Sequence, residues 1–156
     1  MRLGAPGTAM AGDACDPLVG AQPVWRYSAL DLYPRPDAVP EARQHARHVV
    51  TEWGYTQIAR TAELVVSEIV TNAAHHARET ATKNGVPPVR LRLTDWLSGV
   101  QIEVWDGSSR MPRAAQQPAP DAEAGRGLLL VEALSDCWGA YPTQGGGKVV
   151  FAVIRT

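Results

Sequence analysis

No apolar run in this 156-residue chain is longer than a few positions. Nothing in it reaches the roughly 20 residues that a membrane-crossing helix needs. Nor is there an excess of positive charge: 15 Lys and Arg stand against 16 Asp and Glu, a formal net charge of -1. A protein that grips a phosphate backbone carries a clear basic surplus, so the balance argues against direct nucleic-acid binding. Cysteine is too scarce for a disulfide framework or a metal set. Cys15 and Cys137 read as two free thiols in a reducing cytoplasm. Lysine is just as scarce, with Lys83 and Lys148 against 13 arginines. Beside so much Ala, Gly and Pro, this reads as coding bias rather than chemistry. A positive-then-apolar targeting pattern is missing from Met1–Gly20. Neither a GxxxxGK[ST] loop nor a GxGxxG fingerprint occurs, which excludes Walker-type and Rossmann nucleotide sites.

What is present suits one domain, with about two-thirds of the unfolded surface buried at this length. Residues 1–22 carry four Gly, two Pro and no periodicity, and read as a disordered leader. Residues 23–156 read as a single domain. Alternation over Val24–Leu30 predicts an edge strand. Ala42, Ala46, Val49, Val50 and Trp53 recur at helical spacing over Glu41–Trp53, with Pro40 in the tolerant first turn and Gly54 as the stop. A second helix is predicted over Gln57–Arg78, its apolar stripe formed by Ala62, Val65, Val66, Ile69, Ala73 and Ala77. Asn84-Gly85 and Pro87-Pro88 break the pattern. Val89, Leu91 and Leu93, then Val100, Ile102 and Val104, alternate with other side chains about a Leu97-Ser98-Gly99 turn, the signature of a hairpin. Residues 107–125 read as a long mobile loop and Gly127–Ser135 as a short helix, with Leu128, Val131, Leu134 and also Leu130 as candidates to face inward. Cys137–Tyr141 and Lys148–Arg155 close the list as strands joined through Gly145-Gly146-Gly147. This order predicts an α+β two-layer sandwich, with helices on one face of a mainly antiparallel sheet.

Three segments carry candidate chemistry. Glu68, Asn72 and His76 stand at i, i+4 and i+8, so they share one helix face for two turns beside the apolar stripe. A carboxylate, an amide and an imidazole in one row suit a metal, a water and a phosphate; they also suit a solvated polar stripe. Asp106 ends the second hairpin strand. There it can accept a hydrogen bond from an exocyclic amine, or serve an ordinary Asp-Gly turn. Glu123-Ala-Gly125-Arg126-Gly127-Leu128 leads into a helix, where glycines admit an anion to backbone N–H groups and the helix dipole favours it. Arg126 is placed to reach a terminal phosphate. The alternative is a flexible helix entry.

Together the three segments are far more specific than any one. Their order and spacing resemble the ATP-binding (GHKL, or Bergerat) fold shared by gyrase, Hsp90, histidine kinases and MutL. Within it they resemble the small bacterial anti-sigma-factor serine kinase branch. The branch pattern E-L-x-x-x-E-x-x-x-N-A-x-x-H-A is matched over Glu63–Ala77, D-x-S-x-x-x-P by Asp106, Ser108 and Pro112, G-R-G-L-x-L-V by Gly125–Val131, and D-x-W-G by Asp136, Trp138 and Gly139. The likeness covers about residues 24–155.

The resemblance implies that Asn72 coordinates a magnesium ion bridging the ATP phosphates and that Glu68 is the general base toward a serine hydroxyl. It implies further that Asp106 binds the adenine amino group with Met111 near the ring, and that Gly125, Arg126, Gly127 and Leu128 cradle the phosphates at the helix start. His76 joins the nucleotide site. The implied protein is a cytoplasmic serine kinase that phosphorylates an anti-anti-sigma (STAS-type) protein and in its other state holds a sigma factor. Relatives often form homodimers. The alternative is an ATP-gated binding module without kinase activity; the presence of both Glu68 and Asn72 favours the kinase, because a binder needs no base. A phosphorelay role for His45 or His48 lacks both the H-[ED] motif and a dimerisation hairpin.

Overall fold

The computed structural model describes residues 26–96, 98–112 and 123–156, with only the helical backbone for 123–125. The chain folds as β1 (Tyr27–Leu32), α1 (Ala38–Glu52), a 3-10 turn (Thr56–Ile58), α2 (Ala59–Glu79), β2 (Val89–Asp95), β3 (Gly99–Asp106), α3 (Glu123–Leu134), β4 (Cys137–Pro142) and β5 (Lys148–Arg155). The strands form one five-stranded sheet in the order β1-β2-β3-β5-β4, every pair antiparallel. This is the expected α+β sandwich, with β1 at an edge.

The helices form where an apolar stripe can meet the sheet. On α1, Ala42, Ala46, Val49 and Val50 are buried. Its start lies at Ala38, three residues before the expected one. The first backbone bond runs from the Glu41 N–H to the Asp37 carbonyl, so Pro40 occupies a position whose missing N–H costs nothing. Gly54 stops the helix with φ +88°, a conformation that side chains with a Cβ resist. On α2, which is about 31 Å long, the whole predicted stripe is buried. Glu63, on the same helix, is also buried. Arg43 of α1 holds its Oε1 at 2.9 Å and Arg60 approaches Oε2 at 3.4 Å. The hydrogen bond from Arg43 keeps the Glu63 carboxyl below its usual pKa despite burial.

The main core lies between the helices and one sheet face. On β3 and β5 it takes Val100, Ile102, Val104, Val150, Ala152 and Ile154. The alternate residues Val149, Phe151 and Val153 form a second cluster on the opposite face. On α3, Leu128 and Val131 are buried while Leu129 and Leu130 are exposed, which corrects the inward placement considered for Leu130. Its start at Glu123 lies four residues earlier than expected. Of the predicted loop 107–125, residues 113–122 lie outside the described residues, as do residues 1–25, the whole predicted 1–22 leader among them. Cys137 is disulfide-bonded, which corrects its reading as a free thiol.

Candidate functional site

The site grows from the junction of three elements. The β3–β5 register pairs Asp106, the last residue of β3, with Lys148, the first of β5. Both side chains are fully buried. Lys148 Nζ donates to Asp106 Oδ1 at 2.9 Å, and the backbone N–H of Ser108 donates to the same oxygen at 2.8 Å. Lys148 Nζ also lies 3.2 Å from His76 Nδ1 on α2. An ammonium group donates only, so Nδ1 is the acceptor and the imidazole carries its proton on Nε2. Burial, and then the Lys148 charge, holds the His76 pKa below its usual value despite the opposing fields of Asp106 and Glu79. The ring is thus kept neutral.

One atom in this cluster is left over. Asp106 Oδ2 is buried and has no hydrogen-bond partner. Such an orphan costs free energy, and native interiors rarely keep one without a use. A ligand N–H would supply what it lacks. The backbone just beyond is shaped by the same carboxylate: Ser108 turns back onto Asp106, and Arg110 N–H donates to Ser108 Oγ at 3.2 Å. Met111 follows, half-buried against the main core. Gly147, at φ +79°, lets the β4–β5 turn pass beneath Asp106, where a Cβ would strike the Trp105 indole at 3.0 Å.

From His76 the row continues along α2 through Asn72 to Glu68, all three half-buried. Eight residues of helix separate the two ends, about 12 Å. Among the described residues no side-chain partner holds Glu68 or Asn72. The Glu68 carboxylate lies against α3 at Gly127: a Cβ there would stand 2.6 Å from Glu68 Oε2. Gly127 is therefore a place where backbone makes room for a carboxylate. Because α3 begins at Glu123, Gly125 keeps an amide that the helix does not bond, whereas Gly127 and Leu128 lie a turn further in. Arg126 is exposed on the same helix.

The arrangement thus joins His76 to Asp106 through Lys148 and sets Glu68 against Gly127, with Asn72 between them on α2, while Met111 packs on the main core and Gly125, Arg126 and Leu128 lie on the adjoining α3. Sequence reasoning missed Lys148. Its signal is a lysine opening an otherwise apolar strand in a chain that prefers arginine. His45 does not join this group. Its Nε2 lies 3.0 Å from Ser28 Oγ on β1, and burial lowers its pKa. His48 is exposed beside Glu52. No cluster of three or more His, Cys, Asp or Glu side chains able to hold a metal occurs among the described residues. Nor is any described helix long and apolar enough to cross a membrane.

A chain of the crystal structure of the SiaB–SiaC complex from Pseudomonas aeruginosa has a similar fold, with a TM-score of 0.61 at 15% identity over 81% of this chain and 88% of that one. No curated protein sequence matches. The family model of the histidine kinase-like ATPase domain matches residues 32–154, nearly the whole described fold. The chain therefore belongs to the histidine kinase-like ATPase domain family, a family of ATP-binding domains.

Proposed function

We propose that the chain is an ATP-dependent serine kinase of the partner-switching type. It phosphorylates an anti-anti-sigma (STAS-type) protein and in its other state holds a sigma factor, which places it in the cytoplasm. The observation that carries the nucleotide reading is the buried, unpartnered Oδ2 of Asp106. An exocyclic adenine amine donates to it, while Lys148 and the Ser108 N–H occupy Oδ1 and fix the plane of the carboxylate. Asp106 accepts and does not donate in that state, which selects the adenine amine over the guanine carbonyl. Met111 flanks the ring.

The remaining roles follow from the row along α2. Asn72 would hold a magnesium ion through its amide oxygen, and the metal would supply charge neutralisation across the phosphates. Arg126 and the Gly125 amide face the terminal phosphate. Glu68 receives the proton of the attacking serine hydroxyl as its oxygen bonds to the γ-phosphorus, the bond to the β–γ bridging oxygen breaks, and ADP leaves. Positioning and charge provide most of the rate, as phosphoryl transfer requires. The likeness to a protein solved together with a second protein supports a protein as the acceptor.

Incubation with labelled ATP, magnesium and an anti-anti-sigma partner tests this reading. Label is expected on a serine of the partner and is expected to disappear with Glu68→Ala. ATP binding with no transfer to the partner would replace the kinase by an ATP-gated binding module.

A further inference from the structure

The sheet face turned away from the helices carries two adjoining rows fixed by the strand registers. Asp31, Arg90, Trp105, Val149 and Tyr141 run from β1 to β4 in one, and Ala29, Arg92, Glu103, Phe151 and Gly139 in the other. A groove of about 460 Å³ opens on these rows, lined by Arg90, Arg92, Glu103, Trp105, Tyr141 and Val149. That volume is in the range of small-molecule sites. Side chains alternate between faces along a strand, so the groove lies across the sheet from Asp106 and Lys148, the chain neighbours of Trp105 and Val149. Local contacts hold its walls. The Trp105 indole N–H donates to the Gly146 carbonyl and to Thr143 Oγ1, both at 3.2 Å. The Tyr141 ring lies 6.1 Å from that of Phe151, and its hydroxyl donates to Glu103 Oε1 at 3.1 Å. Burial, and then the Glu103 charge, pushes the Tyr141 pKa up, so the phenol stays a donor.

The charges in the groove are unequally engaged. Arg90 is taken by Asp31, Nε to Oδ1 at 2.7 Å. Arg92 and Glu103 are direct partners across the β2–β3 ladder, where opposite charges ordinarily attract. Each is drawn aside instead. The Arg92 guanidinium lies 4.9 Å from the centroid of the Tyr27 ring, and Glu103 reaches to Tyr141. Among the described residues no carboxylate holds Arg92 and no cation holds Glu103. A cation and a carboxylate thus stand near one another but unpaired, beside an indole and a valine. We propose that the groove binds a free aromatic α-amino acid, with its carboxylate on the Arg92 guanidinium, its ammonium on Glu103 and its ring over Trp105 and Val149. A guanidinium grips a carboxylate with paired N–H donors. Glu103 accepts the ammonium through Oε2, since Tyr141 has taken Oε1. Aromatic rings meet in offset or tilted contact, which the fixed indole offers. The ligand is neutral overall, as the groove is: an anion alone meets the Glu103 charge, and a cation alone meets Arg92. A residue inside a peptide lacks both charges, whereas a free amino acid carries them on one carbon.

Calorimetric titration of the full chain with L-phenylalanine is the test, and one saturable site is expected. 3-Phenylpropionate lacks the ammonium and phenethylamine lacks the carboxylate. Each is expected to bind about tenfold more weakly or worse, as loss of a hydrogen bond to a charged group gives. L-Alanine, which has no ring, is expected to give no measurable heat. Arg92→Gln should bring L-phenylalanine down to the affinity of phenethylamine without weakening phenethylamine itself. Glu103→Gln, whose amide oxygen can still accept from Tyr141, should weaken L-phenylalanine without weakening 3-phenylpropionate. Thermal melts verify folding of both variants, and the ligand series needs neither of them. ATP titration of Arg92→Gln is expected to match the parent, which separates this inference from the nucleotide reading. The site is overturned by no saturable binding at millimolar L-phenylalanine, by equal binding of the three aromatic ligands, or by folded variants that both bind L-phenylalanine as the parent does.

Discussion

Replacement of Lys148 by methionine keeps most of the side-chain volume but deletes the ammonium group that holds Asp106 Oδ1 at 2.9 Å. Both partners are about 1% exposed, so water cannot take over the contact. Asp106 would keep the Ser108 N–H at 2.8 Å and little else, since its second oxygen already lacks a partner. Breaking a buried pair by removing one partner costs about 3–5 kcal/mol, because a charge stays behind uncompensated. Against a total stability of roughly 5–15 kcal/mol that is a large loss. For a domain of this size it corresponds to a fall in Tm of roughly 10–20 °C. Urea unfolding of Lys148→Met provides the measurement. The double variant Asp106→Leu with Lys148→Met removes both charges and is expected to recover much of the loss, with no recovery of ATP binding. If Lys148→Met unfolded within about 0.5 kcal/mol of the parent, an ordinary surface value, the buried pair would not be what holds this corner together.

Glu68→Ala is expected to lower phosphoryl transfer by roughly 10²–10⁴-fold with little change in ATP affinity, whereas Asn72→Ala weakens magnesium-dependent ATP binding as well; equal loss of affinity in both would refute the division of roles. Gly127→Ala puts a Cβ 2.6 Å from Glu68 Oε2. It is expected to leave melting nearly unchanged, since alanine favours the helix by up to about 1 kcal/mol, while displacement of the carboxylate slows transfer by up to roughly 10²-fold; an unaltered transfer rate contradicts the contact. Burial, and then the Lys148 charge, lowers the His76 pKa in the folded state. Its contribution to stability is therefore complete above about pH 6.5 and is lost as pH falls through that value toward the folded pKa, where a charged ring would face the Lys148 ammonium. His45 is shifted the same way and adds to the loss. His76→Gln should flatten part of the acid limb in a pH series of thermal melts, and an unchanged limb would assign the loss elsewhere.

The hairpin Val89–Asp106 was legible in sequence because one face is buried and the apolar residues on β2 keep a strict period of two. Helix α2 was legible for the same kind of reason, its stripe running for about four turns. Element ends were less so. Asp37 precedes α1 without a side-chain cap hydrogen bond, so the usual start signal was not at work there. Gly125 and Gly127 look like a turn on propensity alone, yet the structure draws them into α3, where Gly127 serves the close approach of Glu68. The site was legible as three local motifs. The buried Asp106–Lys148–His76 cluster was not, because it depends on a strand pairing 42 residues apart and a helix 72 residues away from Lys148. The run Val149–Ile154, apolar at every position, does carry the mark of a strand buried on both faces, and it was this second face that local alternation on the other strands concealed.

Calorimetric titration of the parent and Asp106→Asn with ATP and GTP in magnesium buffer tests whether Asp106 Oδ2 accepts an adenine amine. The parent is expected to bind ATP and discriminate against GTP. Asp106→Asn should lose about tenfold or more in ATP affinity, the worth of a hydrogen bond to a charged group, together with most of the discrimination. No heat and no thermal shift for the parent at millimolar ATP, or a variant that binds both nucleotides as the parent does, would contradict it.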